Sequence, residues 1–126
     1  MPFVRISLKK GKSKEFRELL SNSIHQALVS AFKIPEKDIF QVIAEHDEDN
    51  IIYPDSYLGI KHTSNIIYIV IILKAGRCIE MKKALYQHIV NNIADSTDHD
   101  KGDILITLTE NSVENWSFGN GEAQLI

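Results

Sequence analysis

Apolar and polar residues follow two different periods along the first third of the chain. Residues 3–8 are rich in strand-forming side chains. Apolar residues then recur at the three-and-four spacing of an amphipathic helix, namely Phe16, Leu19, Leu20, Ile24, Ala27, Leu28 and Ala31. Ser13 is a suitable N-cap for this helix, and Pro35 ends it because the residue before a proline is pushed out of the α region. With residues 39–44 again extended and apolar, the pattern predicts a strand–helix–strand unit.

The same order returns in the second half of the chain. A strand is predicted over 66–73 and another over 104–108. The helix between them has its apolar face at Met81, Leu85, Ile89 and Ile93. The run Leu8-Lys9-Lys10-Gly11-Lys12 also aligns without a gap with Leu73-Lys74-Ala75-Gly76-Arg77. We therefore expect one domain over residues 1–126, with pseudo-repeats at about 2–46 and 66–111.

Two such units predict an α+β fold in which a four-stranded mixed sheet carries two helices on one face. Asn120-Gly121 predicts a C-terminal hairpin, because both residues tolerate positive φ. Two helices leave the other face of the sheet uncovered, and 66–73 is apolar at every position. We therefore expect this strand to be buried on both sides, through packing of the open face against other subunits of a homo-oligomer.

Composition and charge narrow the class of partner. The chain has 44% hydrophobic and 25% charged residues, which is typical of a globular domain. The formal charge is −3, with Lys and Arg scattered among Asp and Glu, so we expect no nucleic acid partner. The longest apolar run is too short to span a membrane, and the amino terminus lacks the features of a signal peptide. A single cysteine, Cys78, fits a reducing compartment, so we expect a cytoplasmic protein.

The chain combines three features: the strand–helix–strand duplication, a proline directly after Met1, and the run Glu114-Asn115-Trp116-Ser117-Phe118-Gly119-Asn120-Gly121-Glu122-Ala123-Gln124. Together these features resemble the tautomerase superfamily. The chain looks most like the longer, fused two-unit members, which are similar to malonate semialdehyde decarboxylase. The resemblance covers nearly the whole chain. It implies a tautomerase-like fold and a trimer of such chains.

Pro2 is the catalyst that this resemblance implies. The family uses an amino-terminal proline, which Pro2 becomes when Met1 is removed; a retained Met1 would make the Pro2 nitrogen a tertiary amide without a basic lone pair. In an apolar pocket the pKa of a secondary amine falls towards neutrality, because burial disfavours the charged form. Phe3 is one candidate wall of such a pocket. The alternative is that Pro2 only begins an edge strand, where proline is tolerated.

The resemblance also implies roles for two residues elsewhere in the chain. Arg77 matches the family's substrate-binding arginine, whose planar fork suits a carboxylate. An ordinary surface position is the alternative, since Lys12 stands at the equivalent place in the first half. Asp38 matches an aspartate that handles water or polarises the substrate in decarboxylase and hydratase members, and a turn-capping role is equally open. Trp116 and Phe118 are expected to form walls that contact the substrate.

The leading hypothesis is a cofactor-independent keto–enol tautomerase that acts on a small carboxylate-bearing 2-oxo acid or dienol. Pro2 would move a proton between carbon and oxygen while Arg77 anchors the carboxylate, and neither a metal nor an organic cofactor is expected. A hydratase or decarboxylase of a small oxo acid on the same scaffold is one alternative. Ala75 weakens this alternative. Malonate semialdehyde decarboxylase, which the chain resembles, has two arginines with one residue between them, and here Ala75 stands at the first position and only Arg77 remains. A binding protein that kept the fold without catalysis is the other alternative.

Overall fold

The computed structural model describes residues 1–126, which form a four-stranded sheet, two helices and a separate two-stranded hairpin. Every strand and helix of the two predicted strand–helix–strand units forms. In chain order the elements are β1 (Phe3–Lys9), α1 (Lys14–Phe32), β2 (Phe40–His46), β3 (Ser56–Tyr57), β4 (Ile60–Lys61), β5 (Ile67–Lys74), α2 (Ile79–Ser96) and β6 (Ile104–Asn111).

The strands of the large sheet lie in the order β2-β1-β5-β6. β1 and β2 are parallel, as are β5 and β6, whereas β1 and β5 pair antiparallel at the centre. The predicted four-stranded mixed sheet is therefore confirmed. Because β5 runs opposite to β1, the starts of β1 and β2 lie at the same end of the sheet as the ends of β5 and β6. We call this the Pro2 end of the sheet.

Both helices cover the same face of the sheet. Successive residues of a strand point to opposite faces, so alternate residues of β1 and β5 meet the apolar stripes of α1 and α2. Burial of each large aliphatic side chain stabilises the fold by about 1.5–3 kcal/mol. The largest side chains buried in this core are Ile6, Leu8, Leu20, Ile24, Leu28, Ile67, Ile69, Ile71, Leu73, Leu85 and Ile89. No helix has both the length and the apolar sequence that crossing a bilayer requires.

The helix boundaries follow local chemistry. Ser13 is the N-cap of α1, as predicted: its hydroxyl accepts a hydrogen bond from the Phe16 amide at 3.0 Å. α1 ends where Lys33 turns to φ 59°, two residues before Pro35. Cys78 stands at the equivalent cap position of α2 with the same extended backbone, but its side chain caps no amide. The two helix starts therefore differ in one hydrogen bond.

The second face of the sheet, which we call the open face, is not covered within this chain. In β5 the side chains of Ile67, Ile69 and Ile71 are fully buried, whereas those of Tyr68 and Val70 are half-buried. Within the single chain β5 is therefore buried on one side only, because neither helix reaches this face, and its burial by other subunits stays a prediction. The residues of the open face are Phe3, Arg5, Ser7, Phe40, Val42, Ala44, Tyr68, Val70, Ile72, Leu105, Thr107 and Thr109.

The predicted C-terminal hairpin is wrong. The chain contains no strand after β6, only a short 3-10 turn at Val113–Asn115 and a series of turns. Asn120 and Gly121 do adopt positive φ (58° and 71°), as the turn signal requires. The Gln124 side chain closes this turn by accepting from the Phe118 amide and donating to the Gly119 carbonyl, each at 2.9 Å. The Phe118 amide and the Gly119 carbonyl therefore bond to a side chain and not to the backbone of a facing strand.

Candidate active site

The topology of the sheet places most of the predicted site residues at the Pro2 end. Pro2 precedes β1 and Asp38 precedes β2, which runs parallel to β1. Arg77 follows β5 and Trp116 follows β6, and both of these strands finish at this end. Residues that are far apart in the chain therefore share one region because of the antiparallel pairing between the two halves.

Pro2 is buried, and its immediate neighbour in the chain contacts Asp38. The Met1 ammonium lies 3.1 Å from the Asp38 Oδ2 atom, and the Asp38 side chain remains 41% exposed. The Asp38 amide donates to the Pro35 carbonyl at 2.9 Å, so the short turn after Pro35 fixes where the carboxylate lies. The Asp38 carboxylate caps no backbone amide, and its partner in the chain is the Met1 ammonium.

Aromatic side chains line a cavity at the start of β1. A cavity of roughly 320 Å³ is lined by Phe3, Phe40, Trp116, Ser117 and Phe118. Trp116 and Phe118 are stacked, with ring centroids 5.5 Å apart and planes 12° apart, and Phe40 lies 5.9 Å from Phe118. The cavity is therefore a flat-walled apolar slot.

A second cavity, of roughly 290 Å³, adjoins the aromatic slot and shares Phe40 and Phe118 with it. Its other walls are Met1, Asp38 and Leu125. The two spaces together place a carboxylate, the amino-terminal segment and an apolar surface within one depression. The largest cavity of the molecule, roughly 460 Å³, lies elsewhere, between α1 and β2. It is an open groove lined mostly by polar and charged side chains, and none of the predicted site residues line it.

The structure does not bring Arg77 into the aromatic slot. Arg77 lies in the loop just before the Cys78 cap, in a separate shallow cavity lined by Lys74, Gly76 and Met81 among others. Its Nη1 atom donates to the Lys74 carbonyl at 2.8 Å, and its guanidinium carbon lies 5.0 Å above the Phe32 ring. The other guanidinium N–H groups bond to no protein atom, so they are available to an anion.

A carboxylate at the end of β6 faces this loop. Lys82 donates to Glu110 at 2.5 Å, and this hydrogen bond is the main reason why the pKa of the Glu110 carboxyl lies below its usual value. The Gly76 amide and the charge of Arg77 lower the Glu110 pKa further. In the first half, Arg17 and Glu45 form the equivalent pair at 3.4 Å. Glu110 therefore stays negative beside the Arg77 loop at neutral pH.

Sequence reasoning missed two residues of this site, Phe40 and Asn111. Phe40 opens β2 directly beside Phe3 in the parallel register, so the pairing of strand starts was the signal that could have revealed it. Asn111 closes β6, and its Oδ1 atom accepts from the Trp116 indole at 2.5 Å. Its main-chain carbonyl accepts from the Ala75 amide at 2.8 Å. No pattern in the sequence pointed to this hydrogen bond between side chains.

The opposite end of the sheet carries a buried polar cluster instead of a cavity. Asp103, the repeat equivalent of Asp38, is 3% exposed and accepts from the Thr63 amide at 2.8 Å and from its hydroxyl at 2.5 Å. His99 is 7% exposed and lies within 3.3 Å of the Asp103 carbonyl, and its pKa is lowered mainly by burial. No group of three or more His, Cys, Asp or Glu side chains in residues 1–126 could hold a metal ion.

Known proteins share both the sequence and the fold of this chain. The family described as "Tautomerase enzyme" matches residues 38–119, and a second tautomerase family matches residues 2–61. The chain is 42% identical to the Bacillus subtilis protein named "Probable tautomerase YusQ", over 100% of this chain and 99% of that protein.

Solved structures extend this likeness to three dimensions. The FG41 malonate semialdehyde decarboxylase superposes with a TM-score of 0.90 at 35% identity, covering 97% of this chain and 92% of that one. A fused 4-OT, described as a symmetric trimer, shares the fold with a TM-score of 0.79 at 18% identity, covering 98% and 96% of the two chains. With its two strand–helix–strand units in one polypeptide, this chain belongs to the fused branch of the tautomerase superfamily.

Proposed function

We propose that this chain catalyses keto–enol isomerisation of a small 2-oxo acid or dienol without a cofactor, with Pro2 as the acid/base residue. The observation that carries the proposal is that Pro2 is buried while its two neighbours in the chain, Met1 and Phe3, line the two adjoining cavities. Burial disfavours the charged form of a secondary amine, so Pro2 can accept a proton near neutral pH. A group that exchanges its proton readily at working pH is the best general acid/base.

The proposed reaction moves one proton and leaves the enzyme unchanged. In ketonisation neutral Pro2 takes the enol O–H proton, and the ammonium formed delivers it to the substrate carbon, which leaves Pro2 neutral again. The electron pair of the O–H bond forms the C=O bond, and the electron pair of the C=C π bond forms the new C–H bond. The stacked rings of Trp116 and Phe118 support this step by keeping water away from the reacting carbon. Asp38, beside the amino terminus, supports it by stabilising positive charge on the amine.

The proposal requires that Met1 be removed. With Met1 in place the Pro2 nitrogen is an amide, and the ammonium charge lies one residue further out, against Asp38. Removal of Met1 makes the Pro2 nitrogen the free amino terminus, and it also removes one of the residues that line the adjoining cavity. The same step therefore creates the base and enlarges the site.

Arg77 is the proposed anchor for the substrate carboxylate. Its unbonded N–H groups and its planar fork support this role, which needs the side chain to rotate away from the Lys74 carbonyl towards the slot. Lys74 is an exposed cation at the same end of the sheet. Variants of Arg77 and Lys74 show which of the two cations binds the carboxylate. Arg77→Ala should raise KM at least tenfold, and Lys74→Ala should change KM much less.

A decarboxylase or hydratase of a small oxo acid is the second candidate. Two observations favour it: the likeness to the FG41 malonate semialdehyde decarboxylase and the carboxylate of Asp38 beside the amino terminus. In this reaction Pro2 would stay protonated and Asp38 would position water. Ala75 stands against it, because the second arginine of the decarboxylase pattern is missing.

We also propose that the chain assembles as a homotrimer through its open face. Phe40, Val42 and Leu105 lie exposed on this face although they are large and apolar, and contiguous exposed apolar residues mark interaction surfaces. The fused 4-OT with the same fold is described as a symmetric trimer, which supports the number of subunits.

The decisive experiment measures ketonisation of phenylenolpyruvate and 2-hydroxymuconate by protein whose intact mass shows that Met1 is absent. We expect turnover that Pro2→Ala abolishes, whereas a variant with Met1 retained should be equally inactive. A far-UV spectrum for each protein shows that the fold is kept. Turnover that persists in Pro2→Ala contradicts the proposal. Release of CO₂ from malonate semialdehyde, with no ketonisation of either enol, would select the second candidate.

A further inference from the structure

We propose that Asn111 is a positioning residue that holds Trp116 as a fixed wall of the slot, and thereby sets a preference for substrates with a planar apolar substituent. This inference rests on the proposed function for its choice of substrates. Asn111 contacts neither Pro2 nor the reacting atoms; it acts through Trp116.

One hydrogen bond fixes the first ring of an aromatic series. The Asn111 Oδ1 atom accepts from the Trp116 indole at 2.5 Å. Trp116 stacks on Phe118 at 5.5 Å, and Phe118 lies 5.9 Å from Phe40. An indole N–H is a donor only, and a partly buried one needs an acceptor. Without Asn111 the indole would turn towards water, and the flat surface that Phe118 extends would be lost.

The fold itself does not require this side-chain bond. His46 stands at the repeat-equivalent place at the end of β2, and its main-chain carbonyl accepts from the Lys10 amide at 2.8 Å. The Asn111 carbonyl accepts from the Ala75 amide at the same distance, in the same strand register. Only Asn111 adds a side-chain bond to an aromatic ring. The main-chain bond therefore belongs to the duplicated architecture, and the side-chain bond is specific to the end of the sheet that carries the slot.

The test compares Asn111→Leu, which has a similar volume and no acceptor, with Asn111→Asp, which keeps an acceptor oxygen. His46→Ala is the matched control at the other end of the sheet. Trp116 is the only tryptophan of the chain, so its emission reports the indole directly. We expect red-shifted emission and stronger quenching by acrylamide in Asn111→Leu, and wild-type behaviour in Asn111→Asp and His46→Ala.

The kinetic readout separates selectivity from general damage. In Asn111→Leu we expect KM for phenylenolpyruvate to rise five- to tenfold with kcat nearly kept, the size of effect expected for one lost hydrogen bond. KM for 2-hydroxymuconate, which has no ring, should change less than twofold. Equal loss with both substrates, or unchanged Trp116 emission, would overturn the inference. If Asn111→Leu does not fold, Trp116 emission and KM for both substrates are measured in Asn111→Ala.

Failure of the proposed function would be recognised separately. If wild-type protein turns over neither enol, the isomerase proposal fails, but Trp116 quenching still measures the affinity for phenylpyruvate. In that case the inference predicts five- to tenfold weaker binding of phenylpyruvate by Asn111→Leu than by wild type. Equal affinity for phenylpyruvate in the two proteins would refute it.

Discussion

The two helix starts allow a matched test of how one hydrogen bond contributes to stability. Ser13 and Cys78 are equivalent caps with nearly identical backbone angles, φ −67° and ψ 161° against φ −78° and ψ 168°. Only Ser13 accepts from an amide, that of Phe16 at 3.0 Å. A thiol is a weak acceptor, so Cys78→Ser should give α2 the bond that α1 already has, to the amide of Met81.

The size of the effect follows from general values. A serine cap contributes about 1 kcal/mol relative to alanine. Unfolding entropy is about 2.1 cal/mol/K per residue, so for this chain of 126 residues 1 kcal/mol corresponds to about 4 °C in Tm. We therefore expect Cys78→Ser to melt about 4 °C above Cys78→Ala, and Ser13→Ala to melt about 4 °C below wild type.

The assay is thermal unfolding followed by far-UV circular dichroism at one fixed protein concentration, because the Tm of an associating protein depends on concentration. Cys78→Ala is the reference, since it removes the exposed thiol without adding an acceptor. Equal Tm values for the serine and alanine variants at 78 would refute the reasoning, because the cap would then contribute nothing despite its favourable backbone.

Three further predictions concern the buried polar cluster and the open face. The pKa of His99 is lowered from 6.5 in the fold, so the unfolded chain takes up the proton first and the free energy of unfolding falls as pH drops below about 6.5. Urea titrations at pH 7.5 and 5.5 measure this fall in the free energy of unfolding. It should be smaller in His99→Gln than in wild type, and it should equal that of wild type in the control His88→Gln, which changes an exposed residue. Asp103→Asn leaves one Thr63 donor unsatisfied and should lower the free energy of unfolding in urea by about 1–3 kcal/mol. Asp38→Asn, at a side chain that is 41% exposed, should lower it little, and equal losses in the two variants would contradict this prediction. Val70→Asp should give a monomer by light scattering, and an intact trimer would exclude the open face as the interface.

The apolar pattern was sufficient to predict the units of this fold. Leu20, Ile24, Ala27 and Leu28 of the predicted apolar set became buried in α1, and that helix ends at Lys33, two residues before Pro35. Both features follow from local sequence. The order of elements also implied the parallel pairs, since a helix between two strands returns the chain in the same direction. The hairpin signal at Asn120-Gly121 produced the turn but no strands, because the Gln124 side chain bonds the backbone groups of Phe118 and Gly119.

The site was predictable only in part. A family resemblance points to individual positions, which is how Pro2, Asp38, Trp116 and Phe118 were predicted. The fold places Asp38, Trp116 and Phe118 around adjoining cavities that the chain neighbours of buried Pro2 also line. The burial of Pro2, the separate cavity of Arg77 and the Asn111 bond to Trp116 were decided only by tertiary structure. They depend on the antiparallel pairing of β1 with β5, which joins distant segments at one end of the sheet, and on side-chain orientations that no periodicity in the sequence encodes.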